Sequence, residues 1–300
     1  MQYAIGLDIG GTKVAAGLIS KDGEIVSSYS VKSDVRDAET MYASVKTAIS
    51  QVMSDASLGW ESIEGIGAGV PGLVDSKKGL AIYQANIPWA NFPVSKRLKE
   101  DFPVSNVAID NDVRMAALAE WDEKKVSDEE LFTYITISTG IASSFIQHKR
   151  FIRGAGFSGE VGQIPIVSPF DGEKKRLEEV VSGPGMERAY QLQTADSAIT
   201  AKIMFENYQV ATHYQEIIDG AAQAIAEKVY AIVALLDPHH IVFGGSVATN
   251  NPFFIELIKE NMETWLLPDQ KHILKDISIS HFKHLSGLVG AGMSVFYTLD

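Results

Sequence analysis

The sequence predicts an α/β protein made of two units that begin in a similar way. Short apolar runs bounded by glycine turns are mixed with helical periodicity along all 300 residues, which is typical of α/β units. A strand, turn and strand pattern at residues 131–147 echoes the opening pattern at residues 3–19. Apolar residues make up 46% of the chain, enough to form a sizeable core.

Each half contains predicted strands and helices. In the first half, strands are predicted at residues 3–9, 13–19, 24–31, 63–70 and 104–109, and helices at 38–53 and 113–124. In the second half, strands are predicted at residues 131–138, 143–147, 241–243 and 277–281, and helices at 214–236, 252–265 and 287–297. No low-complexity linker separates the halves.

Composition excludes several classes of protein. The chain has no cysteine, which rules out disulfides, cysteine-bound zinc and thiol catalysis. The net charge of −12 and the lack of a long basic run argue against a nucleic-acid partner. No apolar stretch approaches the ~20 residues of a membrane span, and no basic leader is evident at the start. We therefore expect a cytoplasmic protein without a membrane partner.

A candidate phosphate loop joins the first two predicted strands. It reads Asp8-Ile9-Gly10-Gly11-Thr12-Lys13. Its glycines allow backbone N–H groups to approach an anion closely, and Thr12 adds a hydroxyl donor. Asp8 at the strand end can hold Mg²⁺, through water. An ordinary Gly-Gly hairpin with an acidic neighbour would look the same.

Three further motifs follow strands. Gly69-Val70-Pro71-Gly72 ends one strand, Asn111-Asp112 lies where a strand gives way to a helix, and Gly244-Gly245-Ser246 follows a strand in the second half. Each has a purely structural interpretation: a turn, a helix N-cap at Asp112, and a strand-to-helix turn. No one of them identifies a function by itself.

Together and in this order, the motifs resemble the ROK family of repressors and sugar kinases, over nearly the whole chain. The resemblance implies an actin-like ATPase fold: two α/β domains with ribonuclease-H-like sheets and a cleft between them. It implies a smaller domain of residues 1–112 plus 287–300 and a larger one of 113–286. It also implies ATP binding by Asp8, Gly10, Gly11, Thr12 and Lys13, by Thr139 and Gly140 in a second phosphate loop, and by Gly244, Gly245 and Ser246 at the adenosine end.

The resemblance also assigns a sugar site and a catalytic base. Asp112 matches the family's base, which accepts the proton of the attacking hydroxyl. The expected sugar-binding set consists of Gly72, Asn86, Asn111, Asp112, Glu160, Gln163 and Glu178. Amide and carboxylate groups are suitable partners for a ring of sugar hydroxyls.

The sequence departs from the family pattern at three places. Gln163 stands where the family commonly has a histidine near the anomeric end of the sugar, and the zinc-binding cysteines are missing. We therefore expect no structural zinc. The second phosphate loop has fewer glycines than usual. Arg114 replaces a frequent asparagine; a phosphate contact is one interpretation, and the favoured one is a solvated residue of the first helical turn.

The expected function is an ATP- and Mg²⁺-dependent kinase that phosphorylates the 6-hydroxyl of a hexose or hexosamine, such as glucose or N-acetylmannosamine. A β-glucoside kinase acting on cellobiose is the alternative within kinases. A non-catalytic sugar sensor and an actin-like filament protein are alternatives of other classes. A repressor is disfavoured because Asp8 leaves little room for a preceding DNA-binding module. The resemblance implies a homodimer.

Overall fold

The computed structural model describes residues 2–297. The chain divides into two compact units: unit 1 comprises Met1–Ser127, Lys149–Phe157 and Leu285–Asp300, and unit 2 comprises Asp128–His148 and Ser158–His284. The boundary expected after residue 112 differs from this division, which places the helix after Asp112 in unit 1. The two units are also nearly equal in length rather than one smaller and one larger.

The strands are β1 (Tyr3–Ile9), β2 (Lys13–Ser20), β3 (Ile25–Lys32), β4 (Ile63–Val70), β5 (Leu73–Asp75), β6 (Leu80–Tyr83), β7 (Ala90–Phe92), β8 (Val107–Asn111), β9 (Phe132–Ile137), β10 (Ile141–Gln147), β11 (Arg150–Phe151), β12 (Pro165–Val167), β13 (Lys174–Arg176), β14 (His240–Gly244) and β15 (Ile277–Ile279).

The α-helices are α1 (Ala38–Asp55), α2 (Val94–Asp101), α3 (Asp112–Glu123), α4 (Leu177–Val181), α5 (Gly183–Thr194), α6 (Ala201–Glu206), α7 (Thr212–Leu236), α8 (Ser246–Asn250), α9 (Pro252–Glu263), α10 (Ile273–Asp276) and α11 (Ser286–Met293). Within residues 2–297, none of these combines the length and apolarity needed to cross a lipid bilayer.

Unit 1 is built on a sheet with the order β3-β2-β1-β4-β8. β1 and β2 are antiparallel, whereas β4 and β8 run parallel to β1. Parallel strands end at the same edge, so the residues that follow β4 and β8 lie close to the end of β1. The sheet therefore gathers Asp8, Gly69 and Asn111 at one edge.

Helix α11 packs against β1 although it is far from it in sequence. A Cβ added to Gly6 of β1 would lie 2.3 Å from the backbone oxygen of Leu288, and one on Gly290 would lie 1.7 Å from that of Met115. Only glycines allow so close an approach between backbones. The C-terminal helix α11 thus packs on the first sheet.

Unit 2 repeats the same scheme. Its sheet contains the order β10-β9-β14-β15, with β9 antiparallel to β10 and β14 parallel to β9 and β15. The long helix α7 and helix α9 pack together and bury Ile225 and Ile258 in the core of this unit. An antiparallel hairpin followed by parallel strands therefore occurs in both halves.

Most predicted elements are present with shifted ends. β8 begins at Val107, three residues later than expected, and β10 begins at Ile141, two residues earlier. His240, expected in a loop, is the first residue of β14. The short antiparallel sheet β5-β6-β7 was not predicted, because strands of three or four residues carry little periodicity.

Candidate functional site

The first phosphate loop is a tight turn between β1 and β2. Its shape is fixed by a hydrogen bond from Gly10 N to Lys13 O (3.0 Å) and by the Ser33 hydroxyl, which donates to Gly10 O (2.6 Å). A Cβ on Gly11 would lie only 2.6 Å from the backbone oxygen of Asn86. The loop predicted to bind phosphate and the asparagine predicted to bind sugar are therefore neighbours within unit 1.

Asp8 lies on β1, two residues before the turn. Burial raises the pKa of its carboxyl above its usual value, and the nearby Lys13 partly opposes this shift. The bare Cα of Gly287 faces it: a Cβ there would lie 3.5 Å from Asp8 Cγ. Gly287 places no side chain against this carboxyl, and a carboxylate beside a phosphate-binding loop can hold a hydrated cation.

Asn111 and Asp112 stand at the junction of β8 and α3. Asn111 is the N-cap of α3, since its side chain accepts hydrogen bonds from Val113 N (3.0 Å) and Arg114 N (3.4 Å). The N-cap interpretation of Asp112 is therefore wrong: Asp112 is the first helical residue. Its carboxylate Oδ1 accepts a hydrogen bond from Val113 N at 3.0 Å.

The Gly69–Gly72 turn packs against this junction. Asn111 Nδ2 donates to Gly72 O at 3.1 Å, and a Cβ on Gly69 would lie 3.3 Å from Asp112 Cα. Gly72 has a φ of +76°, and a Cβ there would lie 2.4 Å from the backbone oxygen of Tyr83. Both ends of the Asn111 amide are therefore occupied: Nδ2 holds the turn at Gly72, and Oδ1 caps helix α3. Asn111 thereby positions Asp112.

Arg114 is not solvated, contrary to the interpretation favoured from the sequence. Only 6% of it is exposed, and its guanidinium donates to Asp110 Oδ1 (3.0 Å) and to Gly156 O (2.9 Å). Arg153 donates to the other oxygen of Asp110. Asp110 and Arg153 were missed because nothing in the local sequence marks a contact between residues 43 positions apart.

In unit 2, the predicted second phosphate loop meets the predicted adenosine loop. Ser138 and Ser246 hydroxyls are 3.3 Å apart, and Gly183 N donates to Ser138 O (2.9 Å). Gly245 has a φ of +80°, and a Cβ there would lie 2.4 Å from the backbone oxygen of Ile137. Close packing of β14 on β9 therefore requires this glycine.

These loops border a cavity of about 550 Å³. The predicted residues Thr139 and Ser246 line it, together with residues that sequence reasoning missed: Gly183, Pro184, Glu187, Lys202, Asn250 and Asn251. Helix α5 begins at Gly183, so its N-terminus borders the cavity, an arrangement that favours anions. The Ser182-Gly183-Pro184 run, with a hydroxyl cap and an early proline, is the signal that could have revealed it.

The three predicted sugar residues of unit 2 surround the same hairpin end. Gln163 Nε2 donates to Glu178 Oε1 at 2.8 Å, and a Cβ on Gly140 would lie 3.3 Å from Glu178 Oε2. Gln163 N donates to Glu160 O (3.0 Å). Glu178 therefore lies between the second phosphate loop and Gln163. Its carboxylate links the predicted phosphate-binding residues of unit 2 to the predicted sugar-binding residues.

Residues 4–295 match the sequence profile of the ROK family. The chain belongs to this family. The N-terminal loop, the Asn111–Asp112 junction and the β14–α8 turn all fall within the matched range.

Curated relatives in the family are sugar kinases. The chain is 30% identical to a β-glucoside kinase of Listeria monocytogenes, covering 95% of this chain and 94% of the relative. It is 24% identical to a glucokinase of Halalkalibacterium halodurans (89% and 87% covered) and 27% identical to an N-acetylmannosamine kinase of Escherichia coli (96% and 97% covered). The three named substrates differ, so family membership does not select one sugar.

Solved structures share the fold along nearly the whole chain. A ROK hexokinase from Thermus thermophilus aligns with a TM-score of 0.81 and 26% identity, covering 98% of each chain. A ROK glucokinase from Streptomyces griseus in complex with glucose and AMPPNP aligns with a TM-score of 0.79 and 24% identity, covering 96% and 97%. A ROK transcriptional regulator aligns with a TM-score of 0.83 at 17% identity, covering 78% of its own chain. Fold alone therefore does not distinguish kinase from regulator.

Proposed function

We propose that this protein is an ATP-dependent kinase that phosphorylates the 6-hydroxyl of a hexose or hexosamine. The observation that carries the proposal is the position of Asp112, the first residue of α3, directly after the Asn111 N-cap and packed on Gly69. A regulator needs to bind sugar but has no use for a positioned base. The kinase names of the curated relatives support the same function.

Asp112 would act as the general base. The sugar O6 attacks the γ-phosphorus of ATP, the bond between that phosphorus and the bridging oxygen breaks, and ADP leaves with the bond's electron pair. The proton of the 6-hydroxyl passes to an Asp112 carboxylate oxygen. Such a base is effective only when it is held in place, and the Asn111–Gly72 hydrogen bond provides that support.

The remaining roles divide between the units. In unit 1, Gly10 to Lys13 would contact phosphate oxygens, while Asn86 and Asn111 would bind sugar hydroxyls. In unit 2, Thr139 and Gly140 would contact phosphate, Gly244 to Ser246 the adenosine end, and Glu160, Gln163 and Glu178 the sugar. The cavity of about 550 Å³ beside Ser246 supports the adenosine assignment.

Asp8 is the residue that would hold a hydrated Mg²⁺ ion near the first phosphate loop. Mg²⁺ commonly binds through one or two carboxylates and retains several waters. The neighbouring residue Gly287 has no side chain that would compete with those waters for the carboxyl. When bound, the ion would neutralise charge on the transferring phosphoryl group.

The test of the function is a panel of sugars with ATP and Mg²⁺, read by ADP release. Glucose and N-acetylmannosamine are the first choices, and cellobiose tests the glycoside alternative. We expect turnover with at least one of them. Sugar binding without any ADP release would identify a sensor instead, and the absence of both would remove the kinase proposal.

Gln163 bears on the choice between a free sugar and a β-glucoside. Its amide offers both a donor and an acceptor, and it already holds Glu178 at 2.8 Å. We expect Gln163→His to lower kcat/KM for cellobiose relative to glucose, because the bulkier ring would crowd the anomeric oxygen. Gln191→His, at an exposed position on α5, is the matched control. An unchanged ratio with intact activity would show that Gln163 does not govern the anomeric end.

The lack of cysteine predicts that the purified protein carries no tightly bound zinc. Among residues 2–297, no group of three or more histidine, aspartate and glutamate side chains is placed to hold a metal ion. Elemental analysis of protein purified without chelator should therefore find zinc well below one atom per chain. Stoichiometric zinc would contradict the prediction.

We also propose a cytoplasmic homodimer, on the strength of the family resemblance. Sedimentation velocity at micromolar concentration should show a species of twice the chain mass of 32.6 kDa. A single monomeric boundary across the same concentrations would contradict this expectation.

A further inference from the structure

Asp110 is the centre of a buried charge cluster directly before the proposed base. It is 3% exposed and lies on β8 next to Asn111, whose backbone N–H donates to Asp110 Oδ1 at 2.8 Å. Arg114 donates to the same oxygen at 3.0 Å, and Arg153 donates to the other. One carboxylate thus holds two guanidinium groups, an arrangement in which removing a single partner leaves buried charge uncompensated.

Arg114 also reaches a second segment of chain. Its Nη2 donates to the carbonyl of Gly156 at 2.9 Å, while Nη1 holds Asp110. Arg153 lies on that segment, three residues before Gly156. The planar guanidinium of Arg114 therefore bridges β8 and the segment, a geometry that lysine cannot reproduce because its ammonium is a single point of contact.

The segment leads directly to a predicted sugar residue. Three residues beyond Gly156, the carbonyl of Gly159 accepts hydrogen bonds from Ser143 N (2.7 Å) and the Ser143 hydroxyl (3.0 Å). Gly159 has a φ of +97°, and a Cβ there would lie 1.9 Å from the backbone oxygen of Ser143. Glu160 follows at once, so the contacts of Gly159 fix the chain that presents Glu160 within unit 2.

We propose that Arg114, with Asp110 and Arg153, positions the acceptor sugar in the reaction. Through Asp110 the cluster orients the strand end that carries Asn111 and Asp112, and through Gly156 it holds a second segment of unit 1 against that strand end. The inference rests on the proposed kinase function. None of the three side chains needs to touch the sugar, so they are positioning residues rather than catalytic ones.

The test compares Arg114→Gln and Arg114→Lys with wild type by steady-state kinetics. Both Arg114 variants should raise KM for the sugar about tenfold or more, since small displacements of positioned groups cost up to 10²-fold. KM for ATP should stay within about twofold, because the nucleotide contacts lie elsewhere.

Arg97→Gln is the matched control. Arg97 also binds a carboxylate of unit 1 in a bidentate manner, Glu39 at 2.7 and 2.8 Å, but on the surface. The Arg97→Gln variant should leave the KM for sugar and the KM for ATP unchanged. An Arg114→Lys variant that folds and keeps the wild-type KM for sugar would overturn the proposal. The cluster would then only stabilise the fold, and this conclusion does not depend on whether Arg114→Gln folds.

The failure of the kinase proposal is distinguishable from failure of this inference. If wild-type protein releases no ADP with any sugar, the kinase proposal fails, and the same variants are compared by sugar affinity in calorimetry. An Arg114→Lys variant that binds sugar about tenfold more weakly than wild type would still support the positioning role. Equal affinity, or no sugar binding by wild type, would overturn it.

Discussion

Replacing Asp112 by asparagine should lower kcat by roughly 10²–10⁴-fold while sugar binding and the fold are retained. Asparagine has nearly the same shape as aspartate but cannot take the proton of the attacking hydroxyl. The helix start should survive, because Asn111 rather than Asp112 is the N-cap of α3. Sugar affinity measured by calorimetry and unfolding temperature measured by scanning calorimetry complete the comparison.

Two variants sharpen this test. Asn111→Ala removes the cap and the contact with Gly72 O, and should destabilise the protein by about 1 kcal/mol or more. Asp122→Asn makes the same chemical change about 15 Å further along α3 and should keep kcat near wild type. Nearly full activity of Asp112→Asn would show that Asp112 is not the base and that its place at the helix start is structural.

Elements with a strong local signal were predictable from the sequence. β1 and β4 were predicted with their observed ends, because each is a mostly apolar run that stops at a turn containing glycine. Helix α1 was placed within two residues by its apolar stripe. In these cases the local pattern and the tertiary packing favour the same structure.

Contacts between distant residues were not predictable in the same way. Arg114 looked like an exposed residue of a first helical turn, and its burial depends on Asp110 and Gly156. The contact between Gln163 and Glu178 was also invisible, although both residues were assigned to the sugar by resemblance. Motifs therefore identified the residues of the site, whereas the groups that hold them required the folded structure.

The placement of α3 shows the limit of reading domains from sequence. The resemblance to the ROK family implied a boundary after Asp112. The helix instead packs on α11, and buried Glu120 accepts a hydrogen bond from the Ser286 hydroxyl at 2.7 Å. A partner 166 residues away decides the unit to which the helix belongs.

Replacing Asp8 by asparagine should lower kcat/KM for Mg-ATP by about 10²-fold or more, since metal-assisted charge stabilisation contributes several kcal/mol. The expected loss follows from a weaker interaction with a hydrated Mg²⁺ ion, so raising the Mg²⁺ concentration should recover part of the activity. Asp55→Asn, an exposed change at the end of α1, is the control and should keep wild-type kinetics. Full activity of Asp8→Asn at low Mg²⁺ would exclude Asp8 from metal binding.

The same Asp8→Asn variant should be more heat-stable than wild type in metal-free buffer at neutral pH. Burial raises the pKa of Asp8 in the folded protein, so the ionised carboxylate destabilises the folded state. This loss of folding free energy is fully present when the pH lies above the pKa that Asp8 has in the folded protein. As pH falls, the carboxyl becomes protonated in both states, and the difference in unfolding temperature should shrink towards zero near the unperturbed pKa of 3.8. If Asp8→Asn is less stable than wild type at pH 7, ionised Asp8 stabilises the metal-free fold. The loss of activity in Asp8→Asn could then not be assigned to weaker Mg²⁺ binding alone.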